Sequence, residues 1–223
     1  KLPSNILTAE VLLNGAPINA LYNLVSIGII RAVSSIGSAE LVFALNPSGD
    51  TLDAGESNDF APGRMLEVKA GDDGVNTSLF KGIIVQQGIR TAGTAAPEFI
   101  VQCSEEAIKM TNGRKNRCFQ QKQDSAVISD IVKEYDLSSA VDSTAYTHPQ
   151  LIQYQSSDWD FILARAAANG LLVYTDGAKV MVRKPGDSET SGMTLVYGTN
   201  VYSFDCARDV RAQMASIGIQ AWT

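Results

Sequence analysis

Apolar and polar positions alternate with a period of two through much of the first hundred residues. Ile6 to Leu13 is an apolar stretch closed by Asn14-Gly15, a pair suited to a two-residue hairpin turn. Val25, Ile27 and Ile29 alternate with Ser26 and Gly28, and Ala39, Leu41, Phe43 and Leu45 oppose Glu40. Leu66, Val68 and Ala70 alternate with Glu67 and Lys69, and Phe99, Val101 and Cys103 alternate with Glu98 and Gln102. Alternation of this kind predicts strands with one face on a core and one on solvent. Asn46-Pro47-Ser48-Gly49-Asp50, Ala61-Pro62-Gly63 and Gly71-Asp72-Asp73-Gly74 supply turns between them. The acidic, aperiodic stretch from Asp50 to Asp59 reads as a surface loop at one rim. Strands of this number and spacing predict an antiparallel barrel or sandwich.

The period changes after Cys103. Ser104 to Met110 opens like a short helix, and Ser125 to Tyr135 carries a helical apolar stripe of Val127, Ile128, Ile131, Val132 and Tyr135, with Asp124 or Ser125 as its cap. In a second helix Trp159, Ile162, Leu163 and Ala166 share one face, Ser157 stands at the N-cap with Asp160 three residues on, and Gly170 ends it. Leu171 to Tyr174, Asp176-Gly177 and Lys179 to Arg183 then read as a hairpin. From Met193 strand character returns in Leu195-Val196-Tyr197, Val201 to Phe204 and Met214 to Trp222. The expected fold is mainly β with an α+β insertion. Residues 1–104 and 190–223 form an antiparallel β-barrel domain, and 105–189 form an inserted, helix-containing α/β domain.

Composition narrows the function. Of 223 residues 45% are hydrophobic, enough for a sizeable core, and the formal net charge is −6, which argues against a general binder of nucleic acid or anionic membrane. No apolar run reaches bilayer-spanning length, and the N-terminus has no secretory pattern. The expectation is assembly in the cytoplasm, followed by release as part of a particle. Cys103, Cys118 and Cys206 are odd in number and widely spaced, so they are read as buried small hydrophobes in a reducing compartment.

Candidate chemistry is sparse. His148 is the single histidine and is read as a loop residue before Pro149. It cannot supply a multi-histidine metal site, and no local motif pairs it with a cysteine. Asp158 and Asp160 are two apart on a helix, diverge, and favour the positive end of its dipole, so they read as capping residues. The basic residues Lys109, Arg114, Lys115, Arg117 and Lys122 have only Phe119 among them, which favours a solvated face or a subunit contact over nucleic acid. No nucleotide, calcium-loop or zinc-protease motif is present, and no cofactor or metal is expected.

Four segments, in order, carry a resemblance. They are Asp59-Phe60-Ala61-Pro62-Gly63, then Phe80-Lys81-Gly82, then Met110-Thr111-Asn112-Gly113-Arg114-Lys115, and last Tyr154 through Gly170 with Asp158, Trp159, Asp160, Phe161 and Arg165. Together they resemble the family of VgrG spike proteins of type VI secretion, phage late control D proteins and contractile-tail hubs. The resemblance implies a non-enzymatic, phage tail hub-like fold, in which these residues are structural. It implies a homotrimer in the full-length chain, with tail-tube and spike or baseplate proteins as partners. The chain departs from the family pattern in showing no second barrel and no β-helix needle, so it is expected to be an N-terminal fragment or the ordered part of a longer chain. Two rival readings are a carbohydrate- or receptor-binding β module, marked by an exposed row of Tyr146, Tyr154 and Tyr197, and a tail-associated hydrolase, which needs an acid pair across a cleft.

Overall fold

The computed structural model describes residues 7–19, 21–45, 58–91, 96–186, 194–199, 201, 203–207, 216 and 218. Residues 1–185 form one compact unit and 186–223 a second.

The first unit begins with strands β1 (Leu7–Leu13), β2 (Ala16–Pro17), β3 (Asn23–Ile30), β4 (Ser38–Ala44), β5 (Met65–Asp72), β6 (Val75–Arg90) and β7 (Glu98–Ser104). They form one antiparallel sheet in the order β2-β1-β5-β6-β7-β4-β3. Its two tightest hairpins use left-handed backbone at Asn14-Gly15 (φ 48° and 85°) and Asp73-Gly74 (φ 52° and 84°), which suits primed turns. Strand β6 is 16 residues long and serves two partners, β5 with its first half and β7 with its second. Among the described residues the two ends of the sheet do not pair with each other, so the strand order stays open where a closed barrel is expected.

The inward positions build a core of Phe43, Phe60, Phe80, Phe99, Leu41, Leu66, Val68 and Val101. Phe60 lies at its centre, with ring centroids 5.0 Å from Phe43, 5.2 Å from Tyr22 and 5.8 Å from Phe99. The expected alternation holds in β4, β5 and β7. In β3 a bulge between Leu24 and Ser26 shifts the register, so Leu24, Ile27 and Ile29 face the core while Val25 is exposed.

A 3-10 turn (Glu106–Thr111) leads from the sheet into β8 (Lys115–Gln123), α1 (Asp124–Lys133), β9 (Ser138–Val141), β10 (Thr147–Ser156), α2 (Asp158–Ala168), β11 (Leu172–Asp176) and β12 (Lys179–Arg183). Strands β8 and β10 form an antiparallel ribbon, and β9 lies parallel to β12 in a three-stranded sheet with β11. Their shared core contains Met110, Ile128, Ile131, Trp159, Ile162, Val173 and Val182. The ribbon is an addition to the sequence reading, which left 115–123 and 147–156 without strands. The cap of α1 also differs: its N-cap is Gln123, without a side-chain bond, while Asp124 is turned inward.

In the second unit Tyr197 and Val201 form an isolated bridge. The loop expected at 50–57 and the strand expected over Met214–Trp222 lie outside the described residues, apart from 216 and 218.

Candidate functional site

The resembling segments separate into two places. Phe60 and Phe80 are core residues of the sheet. Pro62 is exposed in the bend before β5, and Gly63 (φ 95°) donates its N–H to Ile84 O at 2.8 Å. Gly82 faces the end of β7 so closely that a Cβ there would stand 2.4 Å from Ser104 O.

The other segments meet where β8 passes the start of α2. Ser157 caps α2: its Oγ accepts from Asp160 N–H at 3.1 Å and donates to Asp160 Oδ2 at 2.6 Å, which ties one of the helix's free amides. Asp158, read from sequence as a second cap, turns into the protein and is almost fully buried. Its carboxylate accepts from Lys115 Nζ at 2.7 Å, Tyr135 OH at 2.6 Å and Gln153 Nε2 at 2.9 Å, and Arg117 also donates to it. Burial opposes its ionisation, but the hydrogen bonds from Lys115, Tyr135, Gln153 and Arg117 prevail and hold its pKa at about 2. The bond to Asp158 in turn raises the pKa of Lys115. Arg117 also reaches Glu134 Oε1 at 2.6 Å, and Lys122 reaches Asp130 Oδ2 at 2.5 Å. The basic cluster is therefore largely spent on ion pairs within its own domain, and only Arg114 stands exposed without a partner among the described residues.

A second buried carboxylate lies at the start of α1. Asp124 accepts from Arg165 Nε at 2.6 Å and Nη2 at 3.1 Å, and from Asn169 Nδ2 at 2.9 Å, with His148 Nε2 at 2.9 Å. Burial again opposes ionisation, and the bonds from Arg165, Asn169 and His148 outweigh it, leaving a pKa of about 2. Arg165 of the signature helix is thus a tie between the two helices. His148 is a strand residue bound into this cluster, where the sequence pattern reads as a loop before Pro149. Trp159 and Phe161 fill the core, and Phe161 stacks on Phe119 with centroids 6.0 Å apart. Gly170 (φ 65°) closes α2 while Leu171 N–H bonds back to Ala166 O at 2.9 Å.

Between these segments lies a shallow cleft of about 490 Å³, lined by Thr111, Gly113, Arg114, Gln155, Ser157 and Asp160. The one hydroxyl–carboxylate pair in its lining, Ser157 and Asp160, is the capping pair of α2. Among the described residues no three His, Cys, Asp or Glu side chains gather as metal ligands, and no helix is long and apolar enough to cross a membrane. Cys103 is buried, which pushes its thiol pKa up to about 12, whereas Cys118 and Cys206 are exposed rather than the buried hydrophobes expected. Tyr154, at the head of the signature, is 76% exposed; Tyr146 and Tyr197 are exposed as well.

Sequence reasoning named Arg117 only as part of a solvated or subunit-facing basic cluster, and missed its bond to Asp158, the part of Gln153 and the Asp124–Arg165 pair. The available signal was the period-two placement of Lys115, Arg117 and Phe119 against Leu151 and Gln153, a strand pattern written partly in polar residues.

Residues 3–223 match the family model described as the Alg8 N-terminal domain, not one named for VgrG. No curated protein matches the chain. Among solved structures, a tail protein of prophage MuSo2 from Shewanella oneidensis superposes with a TM-score of 0.71 at 12% identity, over 89% of this chain and 59% of that one. The Escherichia coli c3393 protein, a component of the type VI secretion system with structural similarity to T4 bacteriophage tail proteins gp27 and gp5, gives 0.58 at 12% identity, over 78% of this chain and 48% of that one. A chain of the lidded Francisella PdpA–VgrG complex gives 0.52 at 12% identity, over 84% and 30%. At these identities the likeness is one of fold, and the chain spans about half to three fifths of the first two proteins' length.

Proposed function

The chain belongs to the Alg8 N-terminal domain family, and on that premise we propose that it is a structural part of a contractile tail or spike: a hub or spike-base segment that adapts a three-fold spike to a six-fold tube. The observation that carries this reading is an assembly edge on a tail-protein fold. Strand β3 is the last strand of the sheet, its residues 23–30 include no charged side chain and no proline, and its far edge has no partner among the described residues. The strand carries a bulge between Leu24 and Ser26, but it lacks the charge and proline with which proteins that stay alone also guard such edges. Here the core-facing Leu24, Ile27 and Ile29 are only half covered, and Val25 and Ile30 are exposed, so a neighbouring strand would complete the burial. In this role the buried ion clusters keep α1, α2 and the ribbon in fixed geometry under load, with no chemical turnover.

Light scattering of the full-length protein over a wide concentration range tests the reading. The mass of a trimer is expected, and Ser26→Lys, which sets a charge on the β3 edge, should weaken further assembly with tube or baseplate proteins. A protein that stays monomeric throughout counts against a hub.

A second reading draws on the exposed tyrosines. Tyr146 and Tyr154 lie at the two ends of the ribbon, at positions suited to stacking on sugar rings. A receptor- or carbohydrate-binding module would lose glycan-array binding on Tyr154→Ala, and a hub would not. The hydrolase reading draws no support from Asp124 and Asp158, since both carboxylates are committed to cations.

A further inference from the structure

The chain leaves the sheet at Ser104 and starts the helical part at Glu105, and the acid at that crossing is incompletely paired. The Glu105 side chain has no solvent exposure. Its Oε1 accepts from Arg31 Nε at 3.1 Å and Nη2 at 3.0 Å, while its Oε2 is buried without a hydrogen-bond partner. A buried carboxylate is tolerable only while its charge is compensated, and Arg31 is its one cation among the described residues.

The same place is the joint between the two cores. The turn over 31–37, which connects β3 to β4, lies across β11. Ser34 N–H donates to Val173 O at 2.7 Å, Gly37 N–H to Thr175 Oγ1 at 2.9 Å, and Glu105 N–H to Gly37 O at 2.9 Å. Ile36 of this turn packs against the helical core, and Arg31 Nη2 also reaches Asp176 Oδ1 at 3.1 Å. Gly37 has no room for a side chain while Glu105 is in place, since a Cβ would stand 2.6 Å from Glu105 Cδ.

We propose that Arg31 and Glu105 form a latch, in which one accessible cation decides whether the sheet and the helical part are held as a single body. With Arg31 seated, the acid stays in and the turn stays docked on β11. When Arg31 withdraws, Glu105 is a buried anion with no cation and one oxygen already unserved. The favourable response is for it to turn out to water, vacating the space beside Gly37 and undocking the turn. Arg31 is placed to act as the moving element: 39% of its side chain is exposed, against none of Glu105. The latch does not depend on the hub reading, because it concerns how two parts of one chain are coupled.

Native-state hydrogen exchange tests it, on the protein, on Arg31→Met and on the double variant Arg31→Met with Glu105→Gln. In the single variant the amides of Ser34, Gly37 and Glu105 should exchange roughly tenfold faster or more, while Leu41, Val101 and Ile131 keep their rates. The double variant should regain most of the protection, because a neutral amide needs no cation. Unchanged joint amides, acceleration spread equally over both cores, or a double variant no better than the single would each overturn the latch. If Arg31→Met does not fold, Arg31→Lys keeps the charge but loses the two-nitrogen grip. It should accelerate the same three amides by a smaller factor, and their failure to respond overturns the latch equally.

Discussion

Beneath the seven-stranded sheet, Phe43, Phe60, Phe80 and Phe99 pack with Tyr22 and aliphatic residues, and the buried acid Glu105, paired with Arg31, stands only where the chain leaves the sheet. Around the helices, a core of similar aliphatic character is flanked by two buried carboxylates: Asp158, held by Lys115, Arg117, Tyr135 and Gln153, and Asp124, held by Arg165, Asn169 and His148. The first region is specified by shape and volume. The second is specified by charge as well. An apolar core tolerates swaps of similar volume, whereas a buried ion pair that loses one member becomes a liability. The helical part therefore gains a defined geometry and, with it, a dependence on pH through Asp124 and Asp158.

This contrast can be broken from the sheet side. Phe60→Ala removes the ring at the centre of the aromatic cluster and should cost about 4 kcal/mol, with the loss shared by all strands of the sheet in a denaturant titration. Phe60→Leu should cost much less, since it restores most of the volume.

Acid sharpens the contrast. Asp124 and Asp158 ionise near pH 2 when folded, against an ordinary value of 3.8. A depressed folded pKa means that the stabilisation is complete above the unfolded value and is lost as pH falls through the folded one. Each carboxylate should contribute roughly 2 kcal/mol above about pH 4 and lose it on the way to about pH 2. Amide exchange should then show Ile131 and Ile162 losing protection before Leu41 and Val101. Simultaneous loss in both regions would contradict the division.

The smallest effect is expected at the start of α2. Ser157→Ala removes the bond to the Asp160 amide and should cost about 1 kcal/mol by a shift in the denaturant midpoint, leaving Asp158 and its cations in place.

The same contrast explains what could be read from the sequence. Strands β4, β5 and β7 were legible because their inward residues are apolar and their outward ones polar. Strands β8 and β10 were not, because their inward positions include Lys115, Arg117 and Gln153, which serve Asp158 and erase the hydrophobic alternation. Asp158 itself was misread as a cap, since a carboxylate in a first helical turn has a sufficient local explanation. The partner that draws it inward lies 41 residues away. Asp124 was misread in the same way, for a ligand on another helix. The bulge at Val25 was invisible because Val25, Ile27 and Ile29 keep a period of two, so nothing in the pattern marks Val25 as the residue turned outward.

The docking of the 31–37 turn has a consequence for anyone recombining this fold. A graft cut between Ser104 and Glu105 looks clean along the chain, yet it would leave Ile36 behind without the pocket it fills and import an acid with no arginine to receive it. Functional exchange of the helical part between relatives should succeed only when the donor's counterpart of residues 31–37 travels with it. Such relatives would inherit the two pieces as a matched pair, although some seventy residues of chain lie between them.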